Sequence, residues 1–519
     1  MIILFSFAAS ADAADGNFGG GAGTPSNPFV IEDEVDLAAI SSNLDKHFIL
    51  GQDIVMTQEW TPLGTSGNPF TGSFDGQNYL ISNLNMNSPS GDSGLFGYAD
   101  NATIKNVTLT DVTIRSTTVN NVGALIGQAA NNTLVENCIA SGTVSGRNNI
   151  GGLIGRMQNG VISNSHFSGT VTGNGGGVWD DASGVGGLAG FLSSSTISGS
   201  SATGDVNYLG NVAGWEGWAY QVSTGGFVGI LSHSTITDSS SIGNTNGFDN
   251  VGGFAGYAWM HSTISNSYVE GNVVGKGNGV GGFAGGTDMN LHFINVSVTG
   301  DTTGVNQVGG LVGYTWYGNS ISKSRVTGNT TGMDEVGGFI GRSTGTTISD
   351  SFVIGNVRGE GNGEPFVSIA STGGFVGYSW GESVFSNSFA AVNITGTNNV
   401  GGFAGMAVQS TVITNVYVTG SVDGNNNVGG LVGNLNGNGK IQNSMALNEF
   451  VNGTTNINSD IGNLGSGSAT GLFVWENISQ NDGTFTNVSD VTSVTSYDVW
   501  SIYPTNSIWS TFDTDDWVL

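Results

Sequence analysis

The stretch V-G-G-F-A-G at residues 251–256 recurs along the whole chain and decides its architecture. Indexed by its first glycine, it stands at Gly123, Gly151, Gly186, Gly225, Gly252, Gly281, Gly309, Gly337, Gly373, Gly401 and Gly429. Successive copies lie 28, 35, 39, 27, 29, 28, 28, 36, 28 and 28 residues apart. The unit is thus 28 residues, with three longer copies that carry insertions of roughly 7 to 11 residues. Gly94-Leu95-Phe96-Gly97 is a degenerate earlier copy.

Each unit holds three short runs rich in Val, Ile, Thr and Tyr, separated by Gly, Asn or Ser. No helical period appears. Three strands per repeat predict one coil of a parallel β-helix per unit, right-handed by the crossover rule. The expected fold is all-β, a right-handed parallel β-helix (solenoid) of about 11–13 coils rising about 4.8 Å each and capped at both ends. The expected divisions are a signal peptide at 1–14, an N-terminal cap at 15–90, the repeat solenoid at 91–447 and a C-terminal cap at 448–519. Residues 35–44 are expected as a short helix in the first cap. Residues 70–79 read as strand, tight turn, strand.

Two polar rows should hold the register. One precedes the indexed glycine and includes Asn120-Asn121, Asn148-Asn149, Asp249-Asn250, Asn278, Asn306-Gln307, Asp334-Glu335, Asn398-Asn399 and Asn426-Asn427. The other follows the second run: Asn164, Asp238, Asn266, Asn295, Asp350, Asn387, Asn415 and Asn443. Stacked amides can bond from coil to coil, and Asn tolerates the left-handed turn conformation. The structural residues are therefore these asparagines, Asn148, Asn306, Asn398 and Asn426 among them, with the glycine pairs Gly151-Gly152, Gly252-Gly253 and Gly309-Gly310.

The glycine run itself reads as a strand that is apolar or bare on both faces. Such a strand is buried on both. One face lines the interior. The other is covered by the chain's insertions or by a lateral partner, and both readings stand at this point.

Composition bounds the function. The 519 residues include 88 glycines but only 7 prolines, and 38% are hydrophobic, which suits an ordered core with many tight turns. The net charge of −28 disfavours nucleic acid and anionic lipid as partners. No run is apolar enough to span a membrane. The lone Cys138 permits no internal disulfide and reads as a small buried hydrophobe.

Copies such as I-G-G-L-I-G (150–155), V-G-G-F-A-G (280–285) and V-G-G-L-V-G (308–313) resemble the GLUG motif. The stretches 23–31 and 70–76 are similar to what often precedes such arrays, and 475–478 to what often follows. The GLUG-motif repeat family comprises secreted and cell-surface β-solenoid proteins, adhesin-like chains and regions attached to peptidases. The resemblance implies an extracellular or cell-surface location. It carries no peptidase role here, because H-E-x-x-H is absent.

Catalysis is not expected. The few basic residues are scattered, and the five histidines lack metal-ligand spacing. Arg156 and Arg342 share a place in their coils but stand six units apart, about 29 Å. No cofactor is expected; calcium is the one cation that Asp180, Asp181, Asp249 and Asp334 could attract. Binding is better supported. Tyr257 and Trp259, Tyr314 and Trp316, and Tyr378 and Trp380 fall five and seven residues after the indexed glycine, which puts them on one edge of the rod. Insertions add Trp179, Trp215, Trp218 and Tyr220. Aromatic faces about 10 Å apart in alternate coils suit sugar rings or a protein interface. The expected function is a non-catalytic structural or adhesive solenoid for attachment or envelope and filament assembly. Its expected partners are glycans, other surface proteins or further copies of itself, laterally or end to end. The alternative is a carbohydrate-binding or polysaccharide-cleaving β-helix that uses the aromatic and acidic insertions.

Overall fold

The computed structural model describes residues 18–175, 183–210, 222–361, 370–480 and 491–494. The three long insertions of the repeat, with Trp179, Asp180, Asp181, Trp215, Trp218 and Tyr220, lie outside the described residues. So do residues 1–17 and the last 25 residues.

One coil shows the plan. Val251–Gly252 belongs to a first sheet of 12 strands, Ala255–Trp259 to a second of 13, and Thr263–Glu270 and Val273–Gly275 to a third and broadest sheet. Each residue pairs with its equivalent one repeat on: Val251 with Val280, Ala255 with Ala284, Ile264 with Phe293. Every pairing between these strands is parallel. The result is a β-solenoid of about 14 stacked coils.

The glycine run is not the single strand the sequence suggested. It breaks between Gly252 and Ala255 and turns a corner, so its two halves lie in different sheets. The first sheet is thereby sandwiched. On one side Val251 and Val280 meet Val273 in a small apolar cluster. On the other side the second sheet lies so close that only glycine fits between. A Cβ on Gly256 would lie 2.6 Å from the Thr224 nitrogen and 2.7 Å from the Gly229 oxygen. A Cβ on Gly252 would lie 2.7 Å from the Phe283 oxygen. On this side the chain's own backbone covers the strand.

The motif's aromatic position fills the main core. Phe227, Phe254 and Phe283 stack at 4.6 and 4.8 Å, and Phe339, Phe375 and Phe403 at 4.4 and 4.7 Å. Around this core, polar rows fix the register. Asn121, Asn149, Asn250, Asn399 and Asn427 all adopt φ near +50°, as do Gln307 and Glu335 in the same row. Asn149 donates to Asn121 (3.0 Å), Asn306 to Asn278 (3.0 Å) and Asn426 to Asn398 (2.7 Å). In the second row Asn266 donates to Asp238 (3.2 Å) and Asn295 to Asn266 (3.0 Å).

A third, buried row runs through Ser165, Ser200, Ser239 and Ser267. Each hydroxyl accepts a backbone N–H from the coil before it and donates to the carbonyl two residues back. Cys138 occupies this row: its N–H donates to Ser165 (3.1 Å), and its thiol, pushed up to about 12 by burial, lies 3.3 Å from the Glu136 oxygen.

The ends differ from the expected bounds. The parallel stack reaches back to Phe29–Ile31, which pairs with His47–Leu50. The helix is Glu34–Ala39, followed by a 3-10 turn at Ile40–Ser42, and Asp33 caps it by accepting from the Val35 and Asp36 N–H groups. Ser73–Asp75 and Leu80–Ser82 flank a turn at Gln77 and Asn78, but they pair in parallel with successive strands of the neighbouring coil, His47–Leu50 and Ile54–Val55, and form no hairpin with each other. Past residue 447, where the cap was expected, another coil continues in register: Asn426 pairs with Thr455, Val432 with Ile461 and Lys440 with Ser468. Asn458-Ser459 replaces the glycine pair Gly429-Gly430 there, and Asp460 stands at the place of Leu431. The Asn458 side chain donates to the Ile461 and Gly462 carbonyls at 3.0 Å and holds the same corner.

Candidate functional site

The three Tyr–Trp pairs singled out in the sequence stand on the outer side of the second sheet or in the turn that leaves it. Strand register places Tyr257, Gly286, Tyr314, Arg342 and Tyr378 in one column across five successive coils. Tyr257 and Tyr314 are two coils apart, yet their rings are 6.4 Å from each other. The intervening Gly286 explains this, because the Tyr314 ring lies in the space a side chain would take there. The Tyr314 hydroxyl donates to Asn250 Oδ1 at 2.8 Å. Burial raises its pKa well above the usual phenol value, with Tyr257, Asp288 and Asp249 adding to the effect. Burial, with Asp288 nearby, pushes Tyr257 up to about 12.

Arg342 completes the column. Its guanidinium lies 5.4 Å over the Trp316 ring and 5.3 Å over Tyr378, and donates to Glu335 at 3.2 Å. Burial raises the Glu335 carboxyl even though this guanidinium pulls it down. Arg156, the equivalent residue six coils earlier, lies over Phe191 at 4.9 Å. These side chains are engaged with one another and with the first polar row, and they offer no row of free faces spaced every second coil.

The tryptophans sit one step outward. Trp259 and Trp316 are half-buried against Tyr257 and Tyr314, at 6.3 and 6.5 Å between centroids. Trp380 instead borders an open groove at the turn between the second and third sheets. Tyr317, Gly345, Glu382, Gln409 and Asn438 also line it. Tyr317 is 53% exposed and was absent from the sequence reading. The signal that could have found it is its place at the tip of a turn, directly before Gly318.

Of the acidic candidates, Asp249 is buried, accepts the Asn278 N–H and is raised by that burial. Asp334 is buried three coils further on. The two cannot share an ion, and among the described residues no three His, Cys, Asp or Glu side chains are grouped to hold a metal. Nor is any described helix long and apolar enough to cross a membrane.

With this geometry in hand, comparison with known proteins identifies the class of repeat. The GLUG motif matches residues 146–172, 181–207 and 249–274. The chain carries GLUG repeats, stacked here as coils of one solenoid. Residues 34–142 match the N-terminal region of M26 IgA1-specific metallo-endopeptidases. Among curated relatives, Halomucin of Haloquadratum walsbyi is 34% identical over 162 residues, which is 27% of this chain and 2% of that protein. An immunoglobulin A1 protease of Streptococcus sanguinis is 35% identical over 140 residues, 26% of this chain and 7% of that one. The chain therefore spans a small fraction of these relatives. A solved chain from Bacteroides ovatus, described only provisionally as an immunoglobulin A1 protease, aligns over 71% of this chain and 90% of its own, at 19% identity and TM-score 0.31.

Proposed function

We propose that this chain is a non-catalytic extracellular or cell-surface solenoid that serves attachment or assembly. One observation carries the reading. The titratable and aromatic side chains of the central column, from Tyr257 to Tyr378 with Arg342 and Glu335, are used up in contacts that hold the coils together. What remains for a partner is a long, stiff, acidic surface with shallow turns. The matches to Halomucin and to a peptidase's N-terminal region support a presenting rather than a reacting part.

A second reading has its own support. The match over residues 34–142 favours an accessory region that positions a substrate for a catalytic part carried elsewhere in a longer protein. Immunoglobulin A1 is then the substrate to try first, given the name of the streptococcal relative.

Incubation of the purified chain with neutral and acidic polysaccharides and with immunoglobulin A1, alongside a glycan array, tests both. The expected result is retention on the array without product. Turnover that disappears in Asp180→Ala or in Glu216→Ala, the carboxylate that follows Trp215 in its insertion, would replace the proposal with an enzymatic one. Retention of immunoglobulin A1 without cleavage selects the accessory reading.

A further inference from the structure

We infer that the groove beside Trp380 is a binding site for a neutral, linear polysaccharide chain. This rests on the attachment reading above and names the ligand class and residues for it. The groove owes its existence to one missing residue. Val312, Ile340 and Val376 are paired across three coils, and so are Ser320, Thr347 and Val384. Seven residues separate the first and last of these pairs in their coils, but only six separate Ile340 from Thr347. The middle turn is therefore drawn in, and Gly345 forms the bottom of the notch.

The Tyr317 ring lies against that floor: a Cβ on Gly345 would be 3.0 Å from Tyr317 Cδ1. The ring is thus held against the floor while half of the residue stays open to solvent. Trp380 lies two coils from Tyr317, about 10 Å, the span of a disaccharide. Gly381 keeps the path between them low, with no atom nearer than 3.5 Å to its missing side chain.

Beyond Trp380 the lining turns polar, with Glu382, Gln409, Ser410 and Asn438 supplying amide and hydroxyl groups. The turns are tied to each other by backbone bonds: Gly318 to Gly345 (2.9 Å), Gly345 to Trp380 (3.2 Å), Glu382 to Gln409 (3.1 Å) and Ser410 to Gly437 (3.0 Å). Such a site is preorganised, and binding loses little entropy. A half-exposed aromatic ring followed by neutral donors and acceptors matches a sugar chain, with its apolar ring faces and hydroxyl rim. Charge selects within that class. The groove has one carboxylate and no basic side chain, in a chain of net charge −28, so polyanionic glycans are repelled.

The test uses the full chain and four probes, cellohexaose, laminarihexaose, mannohexaose and chitohexaose, with polygalacturonate as the anionic control. Calorimetry and tryptophan fluorescence report binding. At least one neutral probe should bind and polygalacturonate should not. Tyr317→Ala and Trp380→Ala should each weaken binding by about tenfold or more, while the ring-preserving Tyr317→Phe stays near wild type. Tyr268→Ala, an exposed ring on the third sheet, should have no effect. Circular dichroism of each variant separates lost binding from lost folding. No binding of any neutral probe at about 10 mM, or full binding by the Tyr317→Ala/Trp380→Ala double variant, overturns the inference. Those results leave the attachment proposal standing on its array result, whereas turnover of a probe would overturn that proposal instead.

Discussion

Asp238 and Asn266 hold the same place in consecutive coils, and the order of the two is not interchangeable. Asn266 donates its amide to Asp238 and presents its oxygen to Asn295, 3.0 Å away. A carboxylate has no proton to pass down, so Asp fits where a run of amides begins. Asp92 takes the bond from Asn121, Asp75 from Asn106, Asp205 from Asn244 and Asp350 from Asn387. Asp301 stands in mid-row because its own backbone N–H makes the downward bond to Asn272. Asn266→Asp should therefore lower stability by about 1–2 kcal/mol, since it sets two carboxylates face to face and removes a donor. Asp238→Asn should stay within about 0.5 kcal/mol of wild type. Urea unfolding midpoints compare them, and equal effects of the two would refute the ordering. The rows themselves were plain in the sequence because their asparagines recur at the repeat spacing. The direction of their bonds was not, because Asp and Asn look alike in a polar pattern until the coils are stacked.

At the scale of the strand, the glycines of the motif act by close approach. A methyl at Gly252 or Gly256 would meet backbone of a neighbouring strand, which cannot swing aside as a side chain can. Gly252→Ala or Gly256→Ala should destabilise by about 3 kcal/mol or more through forced overpacking. Gly67→Ala, with nothing within 4 Å, should be neutral. A tolerated Gly256→Ala, read by thermal melting, would mean that the first and second sheets lie further apart than described. The sequence showed that V-G-G-F-A-G is apolar on both sides and so must be covered. It could not show the bend, because paired glycines suit a straight strand and a corner equally. The same blindness hid the coil after residue 447, where Asn458-Ser459-Asp460 builds the corner without glycine. It hid the Trp380 groove as well, since a turn shorter by one residue matters only beside its longer neighbours. The aromatic pairs were visible from their constant offset, but Gly286 let two of them close on each other.

Over the whole molecule, buried carboxylates set the response to acid. Burial raises Asp92, Asp249, Asp288 and Glu335 above the ordinary range. For a raised carboxyl the folded state holds its proton more tightly than the unfolded state. Its stabilising contribution is complete below the ordinary pKa and is lost as pH rises through the raised one. Asp75 behaves oppositely. Burial pushes it up, but hydrogen bonds from Asn106 and the Gln77 N–H, with the Lys105 charge, bring it below its usual value. Its contribution is lost on acidification. Acid also relieves the self-repulsion of 39 carboxylates against 11 basic residues. Stability to urea should therefore rise from about pH 7 to about pH 5 and turn down below about pH 4. A steady fall from neutrality downward would contradict this assignment of the buried acids.

The Asp-headed rows also make the rod a one-way structure. The rows headed by Asp75, Asp92, Asp205, Asp238 and Asp350 each close on their N-terminal side on a carboxylate that has nothing left to give. At its C-terminal side a row of amides stops on an oxygen that can still accept. Such a row can be lengthened by a further amide on its C-terminal side only; the coil that precedes Asp75, with His47–Leu50, is joined to it by strand pairing and not through the row.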